Sequence, residues 1–240
     1  MDVAALTEKN IPLTIVGDVN SQSVAEQSMT LLLAAFKRVI KNDRAVRVGP
    51  WDYRNLLEPE EVNGKNLLIL GYGRIGRRLA KMATAFGMHV FAYDPFIDSK
   101  QWSDGSVEKV DDLNMAITTA DCISVKMPRV EKPIIGKKEF DRMKTGVVIV
   151  NTARGGIIKE EDLINALKNG KVGAAGLDVF EDEPPLGKNP FYLLQQVILS
   201  PHVAGLSKES AAAMAVSSVK NAIDFFDGNL DMSLVVNKKI

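Results

Sequence analysis

An α/β fold, an open and doubly wound parallel sheet covered by helices on both faces, is what three observations in the sequence predict. Short runs of almost continuous apolar residues recur along the chain. Stretches with helical apolar spacing stand between them, and most runs end in glycine, proline or a polar residue. Strands that are apolar throughout bury both faces, and parallel neighbours need crossover helices, which are right-handed. At 240 residues, 46% of them hydrophobic, the chain is long enough to bury a sizeable core. Residues 1–240 are read as one domain.

The elements come in this order. A first long helix is predicted over about 23–41, opening at "SVAE" with Ser23 and Glu26 as a capping-box pair. Ala25, Met29, Leu32, Leu33, Phe36 and Ile40 make its apolar stripe. "RVGPWDYRNLLEPEEVNGK" reads as an irregular connection to the strand "NLLILG". Ile75, Leu79, Met82, Ala83 and Phe86 then recur at helical spacing up to Gly87. "HVFAYDP", "DCISVKMP", "GVVIVNTA", "VGAAGLDVF" and "QVILSPH" are strands. Helices are expected around "DDLNMAITTA", "KKEFDRM" and "KEEDLINALKNG". A last long helix spans about 207–227, with Ala215, Val219, Ile223 and Phe226 on one face and Gly228 as the stop.

Composition narrows the function classes. Thirty basic residues balance thirty acidic ones and aromatics are sparse, so neither a phosphate-binding field nor a base-stacking surface recommends a nucleic-acid partner. No apolar run approaches the roughly 20 residues needed to span a bilayer. The single Cys122 excludes an internal disulfide framework, fits a reducing cytoplasm, and reads as a buried inert thiol within a strand. His89, at the start of another strand, reads as structural. No metal site is expected.

The stretch "KNLLILGYGRIGRRLA" is the strongest local signal. Gly71, Gly73 and Gly76 keep G-x-G-x-x-G spacing between a strand and a helix, and Asp94 ends the next strand 18 residues later. The competing reading is a tight turn without a ligand. A dinucleotide cradle explains every residue type in it. Gly71 permits the turn, Gly73 admits phosphate to the backbone, and Gly76 allows close helix–sheet contact at a helix N-terminus. Arg74 adds a cation. Asp94 suits both ribose hydroxyls and repels a 2′-phosphate, so NAD is expected rather than NADP.

Three further segments, "VNTARGGII", "GLDVFEDEPP" and "LSPHVAGLS", stand at strand ends, where open α/β sheets bind ligands. With "SVAE", "GYGRIG" and "YDP" they form an ordered set in which the chain resembles the D-2-hydroxyacid dehydrogenase family, from about residue 15 to 230. The resemblance implies a Rossmann NAD-binding domain and hydride transfer between NAD and a small 2-hydroxy or 2-oxo acid of phosphoglycerate, glyoxylate or hydroxypyruvate type. It implies that Arg154 holds the substrate carboxylate and carbonyl oxygen, that His202 is the acid/base, and that Glu183 hydrogen-bonds His202. It also puts Ile75, Met127, Pro128, Thr152, Ala153, Asp178 and Gly205 on the cofactor, with Asp178 at its nicotinamide end. Chemistry agrees with these residue types. Imidazole titrates near neutrality, a neighbouring carboxylate favours imidazolium, and a guanidinium matches a carboxylate in bidentate fashion. The bland alternatives are a structural histidine, an arginine closing a strand end, and a glutamate in a solvated acidic run.

One departure stands out. In that family a substrate domain precedes the cofactor domain, and Met1 falls where it should already be complete, so this chain is expected to lack it. An NAD-dependent 2-hydroxyacid dehydrogenase is therefore weighed against a non-catalytic NAD(H)-binding module, and retention of Arg154, Glu183 and His202 favours the enzyme. A homodimer is expected either way. The family pairs cofactor domains near the first long helix, and here Leu31 and Val39 lie beyond its stripe.

Overall fold

The computed structural model describes residues 1–98, 100, 102, 105–185 and 187–237. The chain divides into two compact units, Val24–Ala204 and Met1–Ser23 with Gly205–Ile240.

The larger unit carries the predicted parallel sheet. Its strands are β1 (Asn66–Leu70), β2 (His89–Tyr93), β3 (Glu108–Lys109), β4 (Cys122–Val125), β5 (Val147–Asn151), β6 (Val172–Leu177) and β7 (Val197–Leu199). All pairings are parallel and the order is β3-β2-β1-β4-β5-β6-β7. The order reverses direction between β1 and β4, which opens a crevice at their carboxyl ends.

The apolar runs bury both faces, as their composition requires. Leu67, Ile69, Cys122, Val148 and Val150 join one core. Their alternates Leu68, Leu70, Ile123, Val125, Val147 and Ile149 join the other. The first core is covered by α2 (Ser21–Phe36) and α4 (Arg74–Ala85), through Leu32, Phe36, Leu79 and Ala83. The second is covered by α5 (Leu113–Thr119), α6 (Lys137–Arg142) and α7 (Glu160–Lys168), through Ile117, Phe140, Leu163 and Leu167. Cys122 is fully buried in the first core, and that burial pushes its thiol far up from the ordinary range, so it is inert.

The first long helix departs from its predicted course. It starts at Ser21, so Ser23 lies inside the first turn and cannot be the cap of a Ser23–Glu26 box. It ends at Phe36 rather than at 41. Arg38 adopts the left-handed conformation (φ 53°), and its Nη1 donates to the Gly173 carbonyl at 3.1 Å. A second helix, α3 (Val39–Val48), then sets off, followed by a 3-10 turn over Trp51–Leu56 where an irregular connection was expected. Ile40 thus leaves the stripe and is 53% exposed, whereas Leu31 is buried, its Cβ against Gly176 of β6. Phe86, placed on the buried face of α4 by its spacing, is the helix cap and is largely exposed.

In the smaller unit, α1 (Val3–Glu8) precedes an extended segment, and α8 (Lys208–Phe226) starts at its Ser207 cap close to the predicted position. Its buried face is not the predicted one. Ala215, Val219, Ile223 and Phe226 are exposed, while Ser210 and Asn221 are buried. The Asn221 side-chain amide donates to Thr14 Oγ1 (3.2 Å) and the Ile15 carbonyl (3.0 Å), and Ser217 Oγ donates to the Val16 carbonyl (3.2 Å). Asn237 does the same further on: its Oδ1 accepts from Leu13 N–H (2.8 Å) and its amide donates to the Ile11 carbonyl (3.0 Å). Hydrogen bonds to an extended backbone select this face, a demand that hydrophobic periodicity does not register.

Candidate active site

The carboxyl ends of the central strands bring together most of the residues singled out in the sequence. At the end of β1, Gly71 has φ +98°, and a Cβ there would stand 2.8 Å from the Lys126 carbonyl carbon. A Cβ on Gly76 would stand 2.3 Å from the Gly71 oxygen, so the turn folds back against the first turn of α4. Gly73 caps α4, and a Cβ on it would meet nothing within 4 Å. The N-terminus of a twelve-residue helix therefore opens onto space that an anion can enter, with exposed Arg74 and half-buried Ile75 beside it. Tyr72 is fully buried between Trp102, stacked at 4.4 Å, and the Arg77 guanidinium at 4.6 Å. Asp94, after β2, accepts from Tyr72 N–H (2.9 Å) and Phe96 N–H (3.0 Å), one per oxygen, which locks its carboxylate beside the glycine turn and leaves a lone pair on each oxygen. This geometry fits a dinucleotide.

The other half of the crevice is built after β4, β5, β6 and β7. Met127 is buried and Pro128 exposed just beyond β4. The Asn151 side chain spans the turn after β5: its Oδ1 accepts from Ala153 N–H (3.0 Å) and its amide donates to the Arg154 carbonyl (2.9 Å). Thr152 is buried, and the exposed Arg154 donates from Nη1 to the Ala153 carbonyl (2.6 Å). A Cβ on Gly155 would lie 1.7 Å from the Phe180 oxygen, so "ARGG" and the loop after β6 lie backbone to backbone. Glu160 and Glu181 clasp that loop from the side, each carboxylate accepting the other's backbone N–H at 2.8 and 2.6 Å.

Asp178 follows β6 directly and has no exposed surface. Its Oδ1 accepts from Ser200 Oγ (2.5 Å) and Val203 N–H (3.0 Å), and its Oδ2 from Ala204 N–H (2.9 Å). Its carbonyl accepts from His202 N–H (2.9 Å). One buried carboxylate thus holds the turn on which His202 sits at φ 52°, a conformation unusual for a non-glycine residue. His202 Nδ1 lies 2.7 Å from Glu183 Oε2, and Glu183 Oε1 accepts from Phe180 N–H at 3.0 Å. A cavity of about 390 Å³, lined by Phe180, Pro184, Pro185, Tyr192 and Pro201, borders the pair.

Partial burial raises the Glu183 carboxyl, but the His202 and Phe180 hydrogen bonds and the His202 and Arg154 charges outweigh it and hold it below its ordinary 4.5. A carboxylate depressed in the folded state stabilises above its unfolded pKa and loses that contribution as pH falls through the folded value. Urea unfolding of wild type and Glu183→Gln is therefore expected to show a stability gap that is present above pH 4.5 and closes below it. A gap that widens as pH falls below 4.5 contradicts the pairing.

Arg154, Asp178, Glu183 and His202 therefore share one end of the sheet. Gly205 belongs to the smaller unit, where its carbonyl accepts from Ser210 Oγ at 2.7 Å. His89 opens β2 at the opposite, amino end of the strands and is exposed. Sequence reasoning passed over Asn151, Gly155 and Lys126. The first stands in a strand-end position that favours Asx turns, and the last is a lysine in an otherwise apolar run; Gly155 carried no local signal beyond the doubled glycine.

A family profile described as "D-isomer specific 2-hydroxyacid dehydrogenase, NAD binding domain" matches residues 29–204. The chain belongs to this family. A D-3-phosphoglycerate dehydrogenase of Methanocaldococcus jannaschii is 43% identical over 93% of this chain and 42% of its own length. A hydroxypyruvate reductase of Thermotoga maritima is 38% identical over 92% of this chain and 72% of its own. Among solved structures, D-lactate dehydrogenase from Aquifex aeolicus, complexed with NAD and lactic acid, superposes with a TM-score of 0.85 at 28% identity, covering 95% of this chain and 73% of its own. The chain thus spans about two fifths of the phosphoglycerate dehydrogenases it matches and nearly three quarters of the reductases.

Proposed function

We propose that this chain binds NAD(H) and carries the acid/base machinery for interconverting a D-2-hydroxy acid and its 2-oxo acid. The observation that carries the reading is the 2.7 Å contact between His202 Nδ1 and Glu183. It engages one ring nitrogen with a carboxylate and leaves Nε2 to exchange a proton with the substrate oxygen. The bound nicotinamide supplies or accepts hydride at C2. In the reducing direction the imidazolium donates its Nε2 proton to the carbonyl oxygen as that oxygen gains charge, and Glu183 stabilises the imidazolium beforehand. In the oxidising direction the neutral ring removes the hydroxyl proton. Arg154, whose charge reaches Glu183, holds the substrate carboxylate in register.

Gly71, Gly73, Arg74, Ile75, Gly76 and Asp94 hold the adenosine and pyrophosphate half of the cofactor, Met127 and Pro128 line it, and Thr152, Ala153 and Asp178 serve the nicotinamide half. The Asp94 charge favours NAD over NADP. A cytoplasmic setting suits the single buried thiol. A homodimer is supported by apolar side chains on α3 and the following turn, with Val39, Val46, Val48 and Trp51 each 47–69% exposed, whereas the burial of Leu31 removes it from that argument. No helix among the described residues is long and apolar enough to cross a membrane.

The test is a calorimetric NADH titration beside NADH oxidation with glyoxylate, hydroxypyruvate and 2-ketoglutarate. Binding with turnover of at least one acid is expected. Tight binding without turnover overturns the catalytic reading, and absence of binding overturns the cofactor reading as well.

A further inference from the structure

Lys126 stands at the seam between the two halves of the crevice, and the acid/base chemistry makes no use of its side chain. It follows β4, with its N–H donating to the Leu70 carbonyl at 2.7 Å and its backbone against Gly71. The half-buried side chain turns away from the glycine cradle and reaches across the end of β5, where Nζ meets Thr152 Oγ1 at 2.5 Å.

Proton counting fixes the direction of the hydrogen bonds around it. Ser28 Oγ, in α2, donates its single proton to the Val24 carbonyl at 2.5 Å. At its 2.8 Å contact with Thr152 it must therefore accept. Thr152 has then spent its own proton, so its oxygen accepts from Lys126. The amine is a donor in this chain, and as an ammonium it keeps further N–H groups beyond that one bond.

The charged side chain whose field reaches Lys126 is Asp178, just after β6; the group it touches, Thr152 just after β5, is an uncharged hydroxyl that is itself backed by Ser28 of α2. Among the described residues no ion pair joins the two: the Asp178 oxygens face Ser200, Val203 and Ala204, and its charge reaches Lys126 only as a field. Burial pulls the Lys126 ammonium down to about 7, with Asp178 acting the other way.

The sheet order says which part of a dinucleotide this amine serves. The glycine cradle, Asp94 and the Met127–Pro128 backbone serve the adenosine and pyrophosphate half, so the remaining half of the cofactor lies over the ends of β5 and β6, where the Lys126 amine meets Thr152. Lys126 is aimed along that half and away from the pyrophosphate cradle. The oxidised nicotinamide ring carries a positive charge and the reduced ring carries none. We propose that Lys126 sets the preference of the site for the redox state of its cofactor, weakening the oxidised form relative to the reduced one. This rests on the proposed NAD(H) function.

Binding of NAD⁺ and of NADH is measured by calorimetry at about pH 6, where the amine is protonated, for wild type, Lys126→Gln, Lys126→Met and Lys126→Arg. Gln keeps a donor for Thr152 and removes the charge, and Met removes both. The ratio Kd(NAD⁺)/Kd(NADH) is expected to fall about tenfold in the Gln and Met variants and to stay within about twofold in the Arg variant. A residue that merely anchors the turn after β5 would shift both affinities by one factor. An unchanged ratio in Lys126→Gln therefore overturns the proposal, and Gln carries the test if Met disrupts the fold. Wild type that binds neither form overturns the function reading instead, so the two failures are distinguishable.

Discussion

His202→Gln is expected to lower kcat for 2-oxo acid reduction about 10²- to 10⁴-fold, with NADH affinity within about twofold of wild type. The split comes from the geometry. The imidazole is held on one side by Glu183, and its backbone is fixed through Asp178 and Ser200 carbonyls at 2.9 and 3.1 Å. A glutamine amide can occupy that place and meet Glu183, but it cannot deliver a proton at neutral pH. The cradle that binds the cofactor lies at the ends of β1 and β2 and does not involve His202. Steady-state kinetics and an NADH titration on the same preparation check both halves. A kcat loss below tenfold assigns the proton to another group, and a parallel collapse of NADH affinity makes His202 a structural residue.

Gly155→Ala is expected to cost about 3 kcal/mol or more of unfolding free energy and to abolish activity in whatever fraction remains folded. The added carbon would fall 1.7 Å from the Phe180 oxygen and 2.2 Å from its carbonyl carbon, and these are backbone atoms that no rotamer change can withdraw. Relief requires the loop from Phe180 to Glu183 to move off the turn that carries Arg154. Gly73→Ala is the matched control. Its φ of −77° suits alanine and its Cβ would meet no protein atom, so stability changes by less than about 1 kcal/mol while cofactor binding weakens. Urea denaturation of both variants decides it, and equal stabilities would mean that the close approach at Gly155 relaxes freely.

The sheet was legible because its strands are apolar on both faces: the alternation of Leu67 and Ile69 with Leu68 and Leu70 between two cores is what such a run demands. Site residues with a local motif were legible for the same kind of reason, since glycine spacing and a strand-end aspartate state their own geometry. What could not be read depended on distant partners. The stripe through Ile40 keeps helical period, and α2 stops where more distant groups take over: Glu60 N–H donates to the Phe36 carbonyl and Arg38 to that of Gly173, 135 residues away. The buried face of α8 is polar because an extended backbone lies on it, so the apolar period pointed to the wrong side. Lys126 looked like a strand residue until Thr152, itself bonded to Ser28, was placed beside it.

The pairing of Leu13 with Asn237 has a consequence in time. The two residues are 224 apart, so at about 5–20 residues per second of synthesis the segment around Leu13 waits roughly 10–45 s for its partner. Every strand of the parallel sheet lies between them and is complete by Leu199. The sheet can therefore close while residues 11–16 still lack their partners, and the smaller unit forms after the larger one.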